Sequence, residues 1–196
     1  MRFGLTLPNL GVGDDPNTLV GLAVEAESAG WDGVFVWDVP LPYPGTDPEG
    51  QKMHEAWMLL AAMAVRTQRV MLGTMITPIA WRQPWMIAKQ ASTLQAMSGG
   101  RFVLSVGLGA PPKGGPYFYE EDDKRTRAAM VDEALHILEV LWSGEPLRLD
   151  GHHFRVRGEP SMKPVVKPRP TVWVVGAWNH DPDAWPTFKH VPEAYD

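Results

Sequence analysis

Short apolar segments recur along this chain at intervals of roughly thirty residues, the length of one strand–helix unit. They begin near residues 2, 33, 69 and 101, and each is followed by a longer segment with helical periodicity. Crossovers of this length join parallel strands in a right-handed sense. The spacing therefore predicts an α/β protein built on a parallel sheet, and every other feature of the chain has to fit that arrangement.

The residues that bound these segments support the alternation. Asp15-Pro16 opens the first helical segment and Gly30 follows it, while Pro84 opens the third and Gly99-Gly100 follow it. Asp caps helix N-termini, Pro is tolerated in the first turn, and Gly adopts the left-handed conformation after a helix end. The third strand segment, "RVMLGTMITP", is apolar on both faces, as a parallel strand between two layers should be.

The chain continues with elements of other kinds beyond the fourth strand. A Gly- and Pro-rich loop, "APPKGGPYFYEEDD", leads to a long amphipathic helix, "KRTRAAMVDEALHILEVLWSG", and then to a predicted hairpin that turns at Asp150-Gly151. Val172–Val175 forms a fifth apolar strand, followed by a Pro- and aromatic-rich end without a clear helical pattern. We expect a barrel portion over residues 1–178 and an irregular tail over residues 179–196.

Two architectures accept this order of elements, an open doubly wound sheet and a (β/α) barrel. The doubly wound fold predicts a phosphate-binding G-x-G-x-x-G after the first strand, which "LPNLGVG" does not contain. A barrel gathers its site at the carboxyl ends of the strands, and polar or small residues follow each predicted strand here. These residues are Asn9, Asp38, Thr77, Gly107 to Gly109, and Gly176. The pattern favours an incomplete TIM-barrel-like fold, with about five parallel strands of the usual eight.

Composition excludes several classes of function. The chain has 196 residues, a formal net charge of −5 and no basic run, which argues against a nucleic-acid-binding face. It has no Cys, so disulfides and thiol chemistry are excluded, and the spacing of its His and acidic residues predicts no metal site. No segment reaches the length of a membrane span and the first residues do not resemble a signal peptide, so we expect a cytoplasmic protein without a membrane partner.

Six segments, in order, resemble the luciferase-like monooxygenase family. They are "MRFGLTLPNLG", "AESAGWDGVFVWD", "RTQRVMLGTMITP", "AKQASTLQAMSGGRFVLSVGLG", "DEALHILEVLWSGEPLRLDGHHF" and "RPTVWVVGAW". The resemblance implies a (β/α)8 barrel that binds FMN or the related deazaflavin coenzyme at the carboxyl ends of the strands. It also implies oxidoreductase chemistry on a small organic substrate, either oxygenation with reduced FMN or hydride transfer with the deazaflavin. For an FMN enzyme, it implies a flavin reductase as a partner.

The same resemblance assigns candidate coenzyme contacts. It implies a flat apolar slot with a few polar groups at its rim, which is the environment that a flavin ring requires. The stretch "LGTMITP" implies a cis peptide bond between Met75 and Ile76, and Gly176-Ala177 matches the turn that holds the coenzyme phosphate in the family. The full set of predicted coenzyme-binding residues is Leu7, Asn9, Met75, Ile76, Thr77, Gly107, Gly109, Gly176 and Ala177.

The chain departs from the family pattern at the end of the second strand. Many members have Asp-His there, whereas this chain has Asp38-Val39, so the usual proton donor is absent. Asp38 and His54 are the remaining candidates for catalytic groups, and Asp38 alone reads more readily as a hydrogen-bond acceptor than as a base. His54 precedes the second helix, near a loop that would cover the site.

The short end of the chain leaves two readings of function open. One is a flavin- or deazaflavin-dependent oxidoreductase, and the other is a non-catalytic flavin-binding protein or family remnant. Five parallel strands leave two unpaired sheet edges, so we expect a homodimer. The Ala- and Met-rich helical segments "AWMLLAAMA" and "IAKQASTLQAM" are the expected interface.

Overall fold

The computed structural model describes residues 1–11, 15–40, 52–109, 123–161 and 167–175. The helices are α1 (Pro16–Ser28), α2 (Ala56–Arg66), α3 (Pro84–Met97) and α4 (Lys124–Ser143). The strands are β1 (Gly4–Leu7), β2 (Gly33–Val36), β3 (Met71–Thr74), β4 (Thr77–Pro78), β5 (Phe102–Gly107), β6 (Leu149–Asp150), β7 (Arg155–Val156) and β8 (Thr171–Val174). A 3-10 turn covers Ile79–Trp81. The predicted alternation of strands and helices is confirmed.

The strands form one parallel sheet in which chain order is also spatial order. β1 pairs with β2, β2 with β3, and β3 with β5, and β8 then pairs with the far side of β5. β6 and β7 form the predicted antiparallel hairpin apart from this sheet. Sequential parallel neighbours joined by helices are the beginning of a (β/α) barrel, and the described residues contain an incomplete one.

The third strand of the barrel is interrupted by one extra residue. In β3, Gly73 pairs with Val103, an offset of thirty positions, but in β4 Thr77 pairs with Val106, an offset of twenty-nine. The strand therefore carries a β-bulge between these two pairs, a feature that commonly occurs beside functional sites. The bulge contains Met75 and Ile76, whose peptide bond is cis as predicted.

The hydrophobic core lies between the sheet and the helices. One face of the strands packs against apolar stripes of all four helices, through residues such as Val34, Leu72 and Leu104. Trp57 of α2 and Phe102 of β5 also meet here, with ring centroids 5.7 Å apart. A sheet covered by helices on one face and turned inward on the other is the arrangement that a barrel wall requires.

The opposite, concave face of the sheet is built from small residues under two aromatic rings. Gly4, Gly33 and Gly73 all face the ring of Phe35, which would lie within 3.0 Å of a Cβ atom at each of them. The ring of Phe35 in β2 also contacts Trp173 of β8, with centroids 5.4 Å apart. β2 and β8 are three strand spacings apart, or about 14 Å in a flat sheet. The ring contact therefore reflects strong curvature of the wall.

Two charged side chains hold the amino-terminal end of this wall together. The Glu27 carboxylate accepts hydrogen bonds from the backbone N–H groups of Gln68, Arg69 and Val70, at 2.6 to 3.0 Å. Arg101 donates to the carbonyl oxygens of Ala64, Thr67 and Val70 at the end of α2 and the start of β3, and to Ser98 O after α3. Together they satisfy backbone groups that have no partner within a helix or the sheet.

The remaining sequence-based expectations about the fold have mixed outcomes. The fifth strand begins at Thr171, one residue earlier than expected. The hairpin reverses over Gly151 to Phe154, where the Glu133 carboxylate accepts hydrogen bonds from the N–H groups of residues 152–154. No helix among the described residues is long and apolar enough to cross a membrane. The division into residues 1–178 and 179–196 is not tested, since positions beyond Val175 lie outside the described residues.

We predict that the Glu27 interaction contributes stability only while the carboxylate is ionised. Burial raises the pKa of Glu27, but the hydrogen bonds from Val70, Gln68 and Arg69 and the Arg69 charge outweigh it, so the pKa lies below its usual value. The contribution is therefore complete above the unfolded-state pKa of about 4.3 and is lost as the pH falls through the lower folded-state pKa. Glu27→Gln should lower the free energy of unfolding at pH 7 by roughly 1 kcal/mol.

Urea denaturation at pH 7 and at pH 3 measures this effect. The difference between wild type and Glu27→Gln should shrink at the lower pH, because the unfolded-state carboxylate is then mostly protonated and part of the stability it contributes is lost. Glu25→Gln, at an exposed position on the same helix, is the matched control and should leave the unfolding midpoint unchanged. An equal difference at both pH values would contradict the prediction.

Candidate active site

A cavity of about 420 Å³ lies where the carboxyl ends of β1 and β2 meet the start of α2 and the 3-10 turn. This volume is within the range of sites that bind small organic molecules. The lining residues are Asn9, Asp38, Val39, Pro40, Met53, His54, Glu55, Ala56, Pro78, Trp81 and Arg82. The cavity therefore brings together three predicted site residues, Asn9, Asp38 and His54, at the end of the barrel where the sequence places the site.

Asp38 is the centre of the hydrogen-bond network beside this cavity. Its side chain is only 2% exposed, and its Oδ2 accepts hydrogen bonds from Trp57 Nε1 at 3.0 Å and from Thr77 Oγ1 at 2.9 Å. Its Oδ1 accepts from Arg82 Nη2, which also forms an ion pair with it. A buried carboxylate with a cationic partner and two further donors has its charge compensated where it stands.

Arg82 projects a guanidinium group into the cavity wall between two carboxylates. Besides its contact with Asp38, its Nη2 lies 3.9 Å from Glu55 Oε1, and its side chain is 25% exposed. The described lining thus contains two acidic side chains and one basic one, and the basic one is already paired. The electrostatic character of the cavity is neutral to negative.

Asn9 joins three segments of chain at the cavity floor. Its Nδ2 donates to Val39 O and to His54 O, both at 3.0 Å, and its backbone O accepts from the His54 N–H at 2.8 Å. Because both side-chain partners are carbonyl oxygens, the amide nitrogen must face them, which fixes the orientation of Oδ1. Asn9 thereby holds His54 at the cavity through main-chain contacts.

Three polar atoms of the lining are buried without a hydrogen-bond partner in the described structure. They are Asn9 Oδ1, His54 Nε2 and Trp81 Nε1. Buried polar groups are almost always hydrogen-bonded in folded proteins, and leaving one unsatisfied costs about 1–3 kcal/mol. An acceptor, an imidazole nitrogen and an indole donor on residues of one cavity lining are therefore candidates for hydrogen bonds to a ligand.

The Trp81 indole is held rigidly at the cavity wall. A Cβ atom at Gly109 would lie 2.9 Å from its ring, and Gly109 has a φ of +75°, which only glycine adopts easily. The Arg127 guanidinium lies 5.9 Å from the ring centroid, within the range of a cation–π interaction. The predicted role of Gly109 as a close-approach glycine has a physical basis, although its neighbour in the described structure is Trp81.

The other predicted coenzyme contacts lie near the cavity but do not line it. Thr77 is fully buried and uses its hydroxyl on Asp38, and the Ile76 side chain lies over Gly107, 3.6 Å from the position of a Cβ atom there. Leu7 is part of the hydrophobic core between sheet and helices. Met75 is partly exposed. Gly176 and Ala177 lie outside the described residues, so the phosphate site stays a prediction.

Sequence reasoning did not identify two members of the network, Trp57 and Arg82. A signal for Arg82 exists, because it is the one charged residue in the apolar stretch "MITPIAWRQPWMIA" after a strand end. Asp38 at a buried strand end also requires a cation or several donors nearby. Trp57, the second residue of α2, lies among core residues and carries no comparable signal.

The geometry can be compared with known proteins. Residues 1–179 match the family described as luciferase-like monooxygenase. Among curated proteins, the chain is 35% identical over 141 residues to an F420-dependent glucose-6-phosphate dehydrogenase of Nakamurella multipartita, covering 71% of this chain and 41% of that protein. A protein of the same name from Microbacterium testaceum is 33% identical over 158 residues, covering 80% and 46%. The chain thus spans less than half the length of these relatives.

Solved structures agree on the fold. An F420-dependent secondary alcohol dehydrogenase, in complex with an F420–acetone adduct, superposes with a TM-score of 0.77 at 24% identity, covering 89% of this chain and 52% of that one. The oxygenating constituent of 3,6-diketocamphane monooxygenase from Pseudomonas putida, in complex with FMN, gives a TM-score of 0.69 at 21% identity, covering 89% and 51%. The barrel wall described above is common to both. On the match over residues 1–179, the chain belongs to the luciferase-like monooxygenase family.

Proposed function

We propose that this chain carries the substrate side of a coenzyme-dependent oxidoreductase site, with a deazaflavin as its coenzyme and a small organic molecule as its substrate. The observation that carries the proposal is the cavity at the strand ends, with its three buried and unpartnered polar atoms. The sequence relatives support the deazaflavin, since proteins at 30–35% identity are named as F420-dependent dehydrogenases. FMN with a flavin reductase partner is the alternative that the family allows.

The residues beside the cavity fit a flat ring system. The Ile76 side chain, in the bulge, lies against Gly107 at the end of β5, and together they form an apolar surface. Met75 precedes Ile76 and Thr77 follows it, and Gly109 comes two residues after Gly107 at the end of β5. We assign Met75, Ile76, Gly107 and Gly109 to the ring of the coenzyme and leave its phosphate to Gly176 and Ala177, whereas the fully buried Thr77 serves Asp38. When bound, a flavin or deazaflavin supplies hydride transfer chemistry.

The chain's own residues then divide the remaining tasks. Asn9 and Trp81 bind polar groups of the substrate, and Asp38 keeps Arg82, Trp57 and Thr77 in place. His54 Nε2 is the unpartnered basic atom of the lining, so we assign to it the acceptance or donation of the substrate proton. Asp38, predicted as a catalytic candidate, is assigned a positioning role because all three of its donors are internal.

Coenzyme binding is the first test of this function. Titration of the purified protein with F420 and with FMN, followed by absorbance and coenzyme fluorescence, should show saturable binding of F420 at lower concentration than FMN. Tight binding of FMN alone would favour the monooxygenase alternative. No binding of either coenzyme would contradict the proposed function.

We predict that His54→Gln lowers kcat/KM for coenzyme-dependent oxidation or reduction by about 10²- to 10⁴-fold, the usual contribution of a positioned acid or base. The backbone bonds between His54 and Asn9 remain in this variant, so coenzyme affinity and the unfolding midpoint should not change. His152→Gln, in the exposed hairpin, is the control. Full activity of His54→Gln with an unchanged pH profile would remove His54 from the mechanism.

A non-catalytic coenzyme-binding protein is the second candidate. Val39 stands where many family members have the proton-transferring His, and Asp38 is fully occupied by internal donors. Saturable coenzyme binding without turnover of any alcohol or carbonyl substrate, in wild type and in His54→Gln alike, would support this candidate. The cytoplasmic setting expected from the sequence stays a prediction under either function.

We also propose that the protein is a homodimer through α2 and α3. Met58 and Val65 lie seven residues apart on α2, and Met86 and Met97 lie eleven apart on α3, so each pair falls on one helix face. All four side chains are at least 40% exposed.

Light scattering should give twice the chain mass of 21.8 kDa. Val65→Glu should weaken association, whereas Ala129→Glu on the exposed face of α4 should not; a monomeric wild type would contradict the proposal.

A further inference from the structure

We propose that the cavity recognises an uncharged hydroxyl-bearing ligand, and that the Trp81 indole N–H is the donor that determines this specificity. The inference deepens the proposed function by naming its substrate class, and it rests on that function for the reaction. It depends on four features of the lining: a free donor, a rigid mount for that donor, a fixed acceptor, and the absence of an unpaired cation among the described lining residues.

Trp81 differs from its described neighbours in what its N–H does. Trp57 Nε1 donates to Asp38, Trp85 Nε1 to Gln83 Oε1, and Trp142 Nε1 to Ala88 O. Trp81 lines the cavity, and its Nε1 is buried without a partner in the described structure. An indole N–H is a donor only, so it selects a ligand atom with a lone pair, such as a hydroxyl or carbonyl oxygen.

The mount of Trp81 makes this donor directional. Its ring packs closely against Gly109, where an added Cβ atom would lie 2.9 Å from ring atoms, and the Arg127 guanidinium lies 5.9 Å from the ring centroid. A ring held in this way loses little conformational freedom when a ligand binds. The N–H direction is therefore set before the ligand arrives, as a specificity-determining group requires.

The lining also offers a hydrogen-bond acceptor, Asn9 Oδ1, to complement the Trp81 donor. Its orientation is fixed because Asn9 Nδ2 donates to two carbonyl oxygens, and Asn9 is only 2% exposed. A hydroxyl group both donates and accepts, whereas a carbonyl group or an ether only accepts. A ligand with hydroxyl groups can satisfy both Trp81 and Asn9, and a ligand that only accepts leaves Asn9 unsatisfied.

The charges of the lining disfavour an anion. Arg82 is the one Arg or Lys side chain among the cavity-lining residues that the structure describes, and it is paired with buried Asp38 and lies near Glu55. A phosphate or carboxylate entering here would meet two acidic groups and no unpaired cation of this lining. We therefore expect the cavity to take an uncharged hydroxyl-bearing molecule and to disfavour one that also carries a phosphate.

Nuclear magnetic resonance of the indole N–H groups tests the inference directly. The protein, labelled with ¹⁵N in its tryptophan rings, is titrated with glucose, cyclohexanol and glucose 6-phosphate, and resonances are assigned from Trp→Phe variants. An uncharged probe should shift the Trp81 signal saturably, with little change at Trp85, and should bind at least about tenfold more tightly than glucose 6-phosphate. Tighter binding of glucose 6-phosphate, or an unmoved Trp81 signal with all three probes, would overturn the proposal.

A variant pair separates hydrogen bonding from packing. Trp81→Phe keeps an aromatic ring beside Arg127 and Gly109 but lacks the N–H, so the uncharged probe should bind about tenfold more weakly, the equivalent of one lost hydrogen bond. Trp85→Phe removes an N–H that is bonded away from the cavity and should bind as wild type. Wild-type affinity in Trp81→Phe would contradict the proposal.

The design does not depend on one variant or on the coenzyme. If Trp81→Phe does not fold, the titration of the wild-type indole signals still decides between the outcomes. The titrations use protein without added coenzyme, so a failure of F420 and FMN to bind would refute the proposed reaction and leave the recognition of a hydroxyl group as a separate result.

Discussion

A buried carboxylate with three donors holds the functional end of this molecule together. Asp38 follows β2, Thr77 opens β4, Trp57 belongs to α2, and Arg82 follows the 3-10 turn, so one side chain connects four elements of the barrel wall. Burying a carboxylate without such partners would be prohibitively costly. The network therefore fixes the relative position of these elements, and this position determines the shape of the cavity between them.

The same compensation explains why Asp38 is poorly suited to act as a base. Each of its oxygen atoms accepts hydrogen bonds from groups of the protein, and without the Asp38 charge Arg82 would keep only its longer contact with Glu55, at 3.9 Å. Removing one member of such a pair usually costs more than the pair contributes. The atoms that remain available for a ligand are those with no internal partner, at Asn9, His54 and Trp81.

Sequence periodicity was sufficient for the fold because the barrel wall is made of local units. The spacing of apolar residues predicts each strand and helix, and residues such as Pro16, Pro84 and Gly144 mark the helix ends. The same pattern predicts a site at the strand ends, and the structure brings Asn9, Asp38 and His54 to one cavity, while their roles stay a prediction. The pairing of those residues did not follow, since Arg82 and Trp57 reach Asp38 through space across 44 and 19 positions of chain. The sequence marks Arg82 as an isolated charge in an apolar stretch, but it does not say which residue Arg82 contacts. Leu7 is a strand-end residue that was predicted to contact the coenzyme and instead packs into the core.

The extra residue in the third strand decides which side of the wall a site residue occupies. Side chains alternate between the two faces of a strand, and a shift of one residue reverses the alternation. Thr74 and Thr77 are an odd number of positions apart, so a regular strand would place them on opposite faces. With the bulge, Thr77 pairs with Val106, whose side chain, like that of Thr74, lies on the helix-facing side. A single-residue deletion at this point would leave every strand and helix intact in composition while turning the Thr77 hydroxyl toward the barrel interior. The register of inward- and outward-facing side chains along this strand, rather than the identity of any side chain, thus determines whether Asp38 has its full set of donors.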